Sequence, residues 1–204
     1  MLKVGLTGSI AVGKSFVCSI LREHGCHVLD ADLTAREVVA KGSDGLISVV
    51  RAFGGDVLTE SGDLDRRKMG SIVFADETKR ILLNSIIHPL VFESQDRWIK
   101  AVESNDPNGI AIIDAALMIE SGGYKRFNKI IVVWCEPAIQ LERLMLRDGL
   151  SETDAKRRID AQMPQEEKIC VADLLIDTSA GFDSARTQTA EIVSQMRTIR
   201  TMRT

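Results

Sequence analysis

Aromatic side chains make up only 4% of the 204 residues, too few for the stacking platforms that hold single-stranded bases. Positive charge is not in excess either: 26 Lys and Arg stand against 29 Asp and Glu, a formal net charge of -3, and the pI is near 5.7. Bulk electrostatic binding to DNA, RNA or anionic lipid needs a concentrated positive surface, so nucleic acid and membrane are set aside as partners. No run approaches the roughly 20 apolar residues of a membrane span. The first apolar run contains Lys3 and ends at glycines after a few residues, too short for a secretory signal. Cys18, Cys26, Cys135 and Cys170 form no C-x-x-C pair, which argues against a disulfide framework and a metal knuckle alike. They are expected as buried free thiols. A cytoplasmic enzyme or small-molecule binder is the expected class.

What is present is a 45% hydrophobic, 27% charged chain, a balance typical of a globular protein. Five short apolar runs punctuate it: Leu2–Thr7, His27–Asp30, Ile110–Asp114, Lys129–Cys135 and Asp173–Asp177. Each is nearly continuous rather than alternating, as expected of parallel strands covered on both faces. Helix-like stretches lie between them. Lys14–His24 closes at Gly25, and a second stretch follows Pro137 and ends at Asp148-Gly149. Ser151 with Asp154 three residues on resembles a capping box. Strand and helix alternating in this way predict an α/β doubly wound sheet.

One connection is too long for a plain crossover. Residues 33–109 number 77 and read mostly as helix, with Ile81, Leu82, Ile86 and Leu90 at helical spacing and Pro89 expected to mark a kink or boundary. An insert of that size can build a substrate-binding subdomain. The segment after Pro137 to about Ala172 carries six basic and six acidic residues from Arg143 to Lys168 and reads as an exposed, mobile helical pair. The stretch from Arg186 to Thr204 holds four Arg and one Glu and reads as a solvated final helix with a frayed end.

Gly8-Ser9-Ile10-Ala11-Val12-Gly13-Lys14-Ser15 matches G-x-x-x-x-G-K-[ST] in full, directly after the first strand and before a helix. Gly8 and Gly13 allow successive N–H groups to turn inward as an anion nest, and the helix points its positive end at the same place. Lys14 supplies a point charge to the β- and γ-phosphates, and the Ser15 hydroxyl is an Mg2+ ligand. The motif implies a nucleoside triphosphate site.

Asp114 ends an apolar strand, where P-loop proteins keep a carboxylate for Mg2+. Asp32, in Asp30-Ala31-Asp32, follows the second strand. It could take the proton of an attacking hydroxyl or merely cap the next helix. Arg143 and Arg147 are four apart on one helix, so they could close together on the phosphates or pair at the surface with Glu142 and Asp148. A guanine reader of the Asn-Lys-x-Asp type is lacking, because Asn128-Lys129 is followed by Ile130-Ile131. A phosphotransferase and a nucleotide-driven binding protein both remain open on these residues.

Beyond the loop, a longer series appears in order: Val28-Leu-Asp-Ala-Asp32, Ala35-Arg-Glu-Val-Val39, Phe53-Gly54, Gly62-Asp-Leu-Asp-Arg66, Val73-Phe74 and Ile87-His-Pro89. It continues with Glu120-Ser-Gly122, Gln140 to Arg143, Arg147-Asp-Gly-Leu-Ser151, Arg158-Ile159, Gln162, Lys168 and Ala172-Asp173. Over residues 2–180 this series resembles the dephospho-CoA kinases. The resemblance implies a P-loop NTPase-type parallel five-stranded sheet flanked by helices, with a helical substrate-binding insert and a helical lid. Residues 1–32 and 110–204 would form the nucleotide-binding core, with the lid at about 143–168 and the acceptor (CoA)-binding insert at 33–109.

The implied reaction moves the ATP γ-phosphoryl group to the 3′-hydroxyl of the ribose of dephospho-CoA, with Mg2+. Asp32 would be the general base. Gly8, Ser9, Ile10, Ala11, Val12, Gly13, Lys14, Ser15 and Phe16 would hold ATP, Arg143 and Arg147 would belong to the lid, and Asp32, His88 and Glu120 would line the acceptor pocket. Departures from the family pattern stand at Phe16, Lys41, Phe92, Ala116, Met118-Ile119 and Thr178. The loss of a proline at Ala116 leaves the chain after Asp114 freer than usual. Another small-molecule kinase, for a nucleoside or nucleotide, is the alternative.

Overall fold

The computed structural model describes residues 1–201, so the last three residues of the Arg-rich end lie outside it. Five strands form one parallel sheet: β1 (Leu2–Thr7), β2 (His27–Asp30), β3 (Ile110–Asp114), β4 (Lys129–Trp134) and β5 (Leu174–Asp177), in the order β2-β3-β1-β4-β5. The continuous apolar runs therefore become strands within a residue of their expected ends. The central strand β1 is the most completely covered, with Val4 and Leu6 at 0% exposure. Full burial of such a side chain contributes roughly 1.5–3 kcal/mol.

Helix α1 (Lys14–Glu23) puts Val17, Cys18 and Leu21 into this core, and the last helix, which runs from Phe182 to Thr201, adds Ile192, Val193 and Met196. That final helix is thus core-packed on one face rather than merely solvated. Its Arg186 pairs with Glu23. Cys18, Cys26 and Cys135 are buried free thiols, but Cys170 is exposed, a correction to the expectation for all four. Burial pushes the Cys26 thiol up to about 11.

The chain divides into two compact units, the first made of Met1–Asp30 and the residues from Ala101 onward, the second of Ala31–Lys100. These limits differ from the expected 33 and 109. The residues after Lys100 join the sheet unit through buried Val102 and through Asp106, which meets His27 at 3.1 Å.

In the second unit, α2 (Ala31–Glu37), α3 (Asp44–Phe53), α4 (Arg66–Ala75) and α5 (Glu77–Asn105), the last up to Lys100, are the main elements. Ser43 caps α3 by accepting the Leu46 N–H, and Asp65 caps α4 by accepting the Lys68 N–H. A small core forms around Val39, Val49, Val57 and Met69. Helix α5 contributes Leu83, Ile86 and Ile87 to it, whereas Ile81 and Leu82 of the expected stripe are exposed. Pro89 is no boundary: it lies inside the 29-residue α5. A proline removes one N–H from the ladder, and the remaining turns of a helix this long carry the element past it.

Helices α6 (Pro137–Asp148), α7 (Glu152–Asp160) and α8 (Gln165–Ile169) make up the charged segment, three helices rather than a pair. Pro137 opens α6 at its first turn and Gly149, at φ 64°, closes it. Ser151 caps α7 by accepting the Asp154 N–H, but its hydroxyl then bonds the Asp154 carboxylate. The box is therefore closed through side chains and not through the Ser151 N–H. Not all of the segment is exposed, since Lys168 has 0% exposure. The final helix, introduced above, is α9 (Phe182–Thr201).

Candidate active site

The loop between β1 and α1 is shaped by two glycines. A Cβ on Gly8 would fall on the carbonyl oxygen of Val133 in β4, and Gly13 holds φ 88° as the N-cap residue of α1. No side chain caps α1, so its positive end is left for an anion. Ala11 also takes a positive φ, 62°, which costs a non-glycine residue roughly 1–2 kcal/mol.

Lys14, at the start of α1, bonds Asp114 Oδ1 at the end of β3. The sheet register makes this meeting possible. Asp114 lies beside Leu6 of β1 and beside Asp30 of β2, so the cation of the loop and the carboxylate of the strand share the carboxyl edge. The other oxygen, Oδ2, accepts from the Cys18 thiol at 3.3 Å. Burial first, and then the charge of Asp114, push that thiol up to about 12.

Two glutamines clamp the apex of the loop. Ile10 donates its N–H to Gln162 Oε1 at 2.8 Å, and its carbonyl accepts from Gln140 Nε2 at 2.8 Å. Ile10 therefore serves through the shape it gives the loop, its own N–H being engaged. Thr178, after β5, donates to the carbonyl of Val12 at 2.8 Å. A cavity of about 320 Å3 is lined by Ser9, Gln140, Ile159, Gln162 and Gln165, among others. The Ser9 hydroxyl is buried and has no hydrogen-bond partner among the described residues.

The paired arginines do not act alike. Arg143 turns inward and donates to Thr178 at both its hydroxyl and its carbonyl, each at 2.8 Å. Arg147 is exposed and pairs with Asp148 at 2.8 Å, whose carboxylate also meets Arg158 at 2.9 Å. Hydrogen bonding to Arg147 holds the Asp148 carboxyl below its ordinary range. A shared helix face thus brings neither guanidinium to the other's partner.

Asp32 is an exposed residue of the first turn of α2, two positions after Asp30, which precedes the helix. In that first turn the carboxylate complements the helix dipole. In the second unit His88 is half-buried, its ring centroid 6.0 Å from that of Phe92. Glu120 follows β3 and binds Lys168 at 2.7 Å. Phe16, next to Ser15, has its ring centroid 4.6 Å from that of Phe182. Ser15 is exposed at the start of α1.

The site residues absent from the motif reading are Gln165, Cys18 and the hub role of Thr178. Their partners lie far away in sequence, 25 residues or more, and no local spacing announces such bonds.

The family model described as dephospho-CoA kinase matches residues 2–184. A dephospho-CoA kinase of Streptomyces avermitilis is 43% identical over 192 residues, covering 94% of this chain and 92% of that protein. Among solved structures, a Thermus thermophilus protein superposes with a TM-score of 0.82 at 28% identity, over 95% of this chain and 96% of the other. The dephospho-CoA kinase of Campylobacter jejuni gives a TM-score of 0.72 at 26% identity, over 96% and 97%. With the family model spanning most of its length and a phosphate loop built on the same sheet, the chain belongs to the dephospho-CoA kinase family.

Proposed function

We propose that this chain transfers the γ-phosphoryl group of ATP to the 3′-hydroxyl of the ribose of dephospho-CoA, releasing CoA and ADP, in the cytoplasm as the last step of coenzyme A synthesis. The observation that carries the reading is the family match over residues 2–184. The loop Gly8–Ser15 with Phe16 would hold ATP, and Lys14 would place its charge at the β- and γ-phosphates. Asp32 would accept the hydroxyl proton as that oxygen bonds to the γ-phosphorus and the bond to the β-γ bridging oxygen breaks. Arg143 and Arg147, on the lid, would offset charge on the transferring group. His88 and Glu120 would line the acceptor side.

The oxygen donors Ser15 and Asp114 suit Mg2+, a hard cation that takes one or two protein ligands and completes its shell with phosphate and water. Among the described residues no group of three or more His, Cys, Asp or Glu is placed to hold a metal. When bound, Mg2+ would neutralise charge on the β- and γ-phosphates. No helix among the described residues is long and apolar enough to cross a membrane, which is compatible with the proposed setting.

ADP release followed with ATP, Mg2+ and dephospho-CoA tests the reading. Acceptor-dependent turnover supports it; absence of turnover at saturating acceptor, or a preference for a nucleoside monophosphate, overturns it. Asp32→Asn is expected to lower kcat by about 10²–10⁴-fold with ATP affinity unchanged. An unaltered rate would remove Asp32 from the role of base.

A further inference from the structure

A lysine with no exposure at all lies outside the phosphate-handling set. Lys168, on α8, has 0% exposure, and taking an ammonium group out of water costs several kcal/mol unless partners compensate it. Two do. Its Nζ donates to Glu120 at 2.7 Å and to the Ala116 carbonyl at 3.1 Å. That carbonyl also accepts from the hydroxyl of Thr7, a fully buried residue at the end of β1, at 3.2 Å.

Ala116 and Glu120 lie near the two ends of the irregular stretch that leaves β3 after Asp114. The stretch Ala115–Glu120 contains no proline to stiffen it. The Ala115 N–H donates to the Leu6 carbonyl of β1 at 3.0 Å and Met118 and Ile119 are buried, so its backbone start and its apolar side chains are held, and Lys168 adds the polar hold. One ammonium group grips both ends.

The mount of that ammonium is rigid. One turn earlier on α8, the carboxamide of Gln165 bonds both backbone groups of Cys135, accepting the N–H at 3.2 Å and donating to the carbonyl at 3.1 Å. It also donates to Gln140 Oε1 at 2.8 Å, and Gln140 in turn holds the Ile10 carbonyl of the phosphate loop. Gln165 and Lys168 are three apart and share a helix face. This short helix is therefore bolted to the end of β4 and to the phosphate loop, and it presents a cation to the segment that carries Glu120.

We propose that Lys168 is a positioning residue for the acceptor side of the site: through Glu120 and the Ala116 carbonyl it sets where the 115–120 segment stands relative to the phosphate loop. The proposal rests on the reading of Glu120 as an acceptor-side residue. It separates two effects that a general loss of structure would not separate. Acceptor binding depends on Lys168; ATP binding, held by Lys14 and the loop amides, does not.

The test is steady-state kinetics of Lys168→Met, a variant of similar length, against the wild-type chain. The KM for dephospho-CoA is expected to rise roughly 10–100-fold, the span of one or two charge-assisted hydrogen bonds. The KM for ATP and the Kd for ATP measured without acceptor should stay within about twofold. Equal shifts in both KM values, or no shift in either, would overturn the proposal. Thr7→Val covers the case in which Lys168→Met does not fold: it removes the second donor to the same carbonyl, and a rise of about threefold in the acceptor KM alone is expected. An unaltered acceptor KM in Thr7→Val would count against the proposal in the same way. Wild-type turnover with dephospho-CoA is the internal control. Its absence would overturn the acceptor reading itself, while normal wild-type turnover with unmoved variants would overturn only the role of Lys168.

Discussion

The phosphate loop and helix α7 belong to the same compact unit, yet their polar groups are satisfied in opposite ways. In the loop the partners are a hundred or more residues away: Gln162 and Gln140 on Ile10, Thr178 on Val12, Asp114 on Lys14. In α7 they lie within ten positions, Lys156 with Glu152, Arg157 with Asp154 and Arg158 with Asp148, and the first two pairs are more than half exposed. Long-range bonds in a covered site fix geometry before any ligand arrives, which is what stabilising a transferring phosphoryl group requires. Short-range surface pairs are screened by water and salt and contribute little. A segment built from them can shift as a body without losing much, a property suited to the proposed lid role.

Three substitutions probe this contrast. The largest effect is expected from Lys14→Ala, which removes the charge beside the phosphates and strands the Asp114 carboxylate. A fall in kcat of about 10²–10³-fold, measured by ADP release, is comparable to deleting one preorganised donor elsewhere. A fall of less than tenfold would mean the loop is held well enough without its cation.

Gln162→Ala comes next. It deletes the bond to the Ile10 N–H and leaves the Gln140 clamp in place, so a rise of about fivefold in KM for ATP is expected, the worth of one ordinary hydrogen bond. No change would show that one clamp suffices. The smallest effect is expected from Lys156→Ala on α7. Kinetic constants should stay within about twofold and Tm within about 1 °C of the parent. A large loss there would break the comparison, because an exposed neighbour pair would then be as consequential as a buried distant one.

Much of the fold could be read from the chain alone. Ile110–Asp114 and Leu2–Thr7 are continuous apolar runs because both faces of a parallel strand are covered, and they became β3 and β1 at those limits. The phosphate loop was equally legible, since its residues are adjacent and the following helix is part of the motif. Helix α5 was harder. Its apolar residues suit more than one face, and the choice of Leu83, Ile86 and Ile87 over Ile81 and Leu82 was made by the neighbouring core around Val49 and Met69. The charged stretch misled for a related reason. Counting charges finds an exposed surface, and it cannot see that Lys168 is withdrawn to meet Glu120 while Lys156 stays outside.

The arginines show where local spacing stops. Four residues apart on α6 places two Cβ atoms on one side, but a guanidinium ends at the far tip of a long flexible side chain, where the available acceptor decides. Thr178 takes Arg143 and Asp148 takes Arg147.

The sequence by itself determined the strands, the phosphate loop and the family, because each rests on residues close together in the chain or on an ordered series of such groups. Only the tertiary structure decided the partners: Cys18 and Lys14 on the two oxygens of Asp114, the glutamine clamp on Ile10, and the single ammonium of Lys168 spanning Ala116 and Glu120. The physical reason is that a buried polar group must find its complement wherever the fold places one, and the fold brings together residues such as Val12 and Thr178 that the chain keeps 166 positions apart.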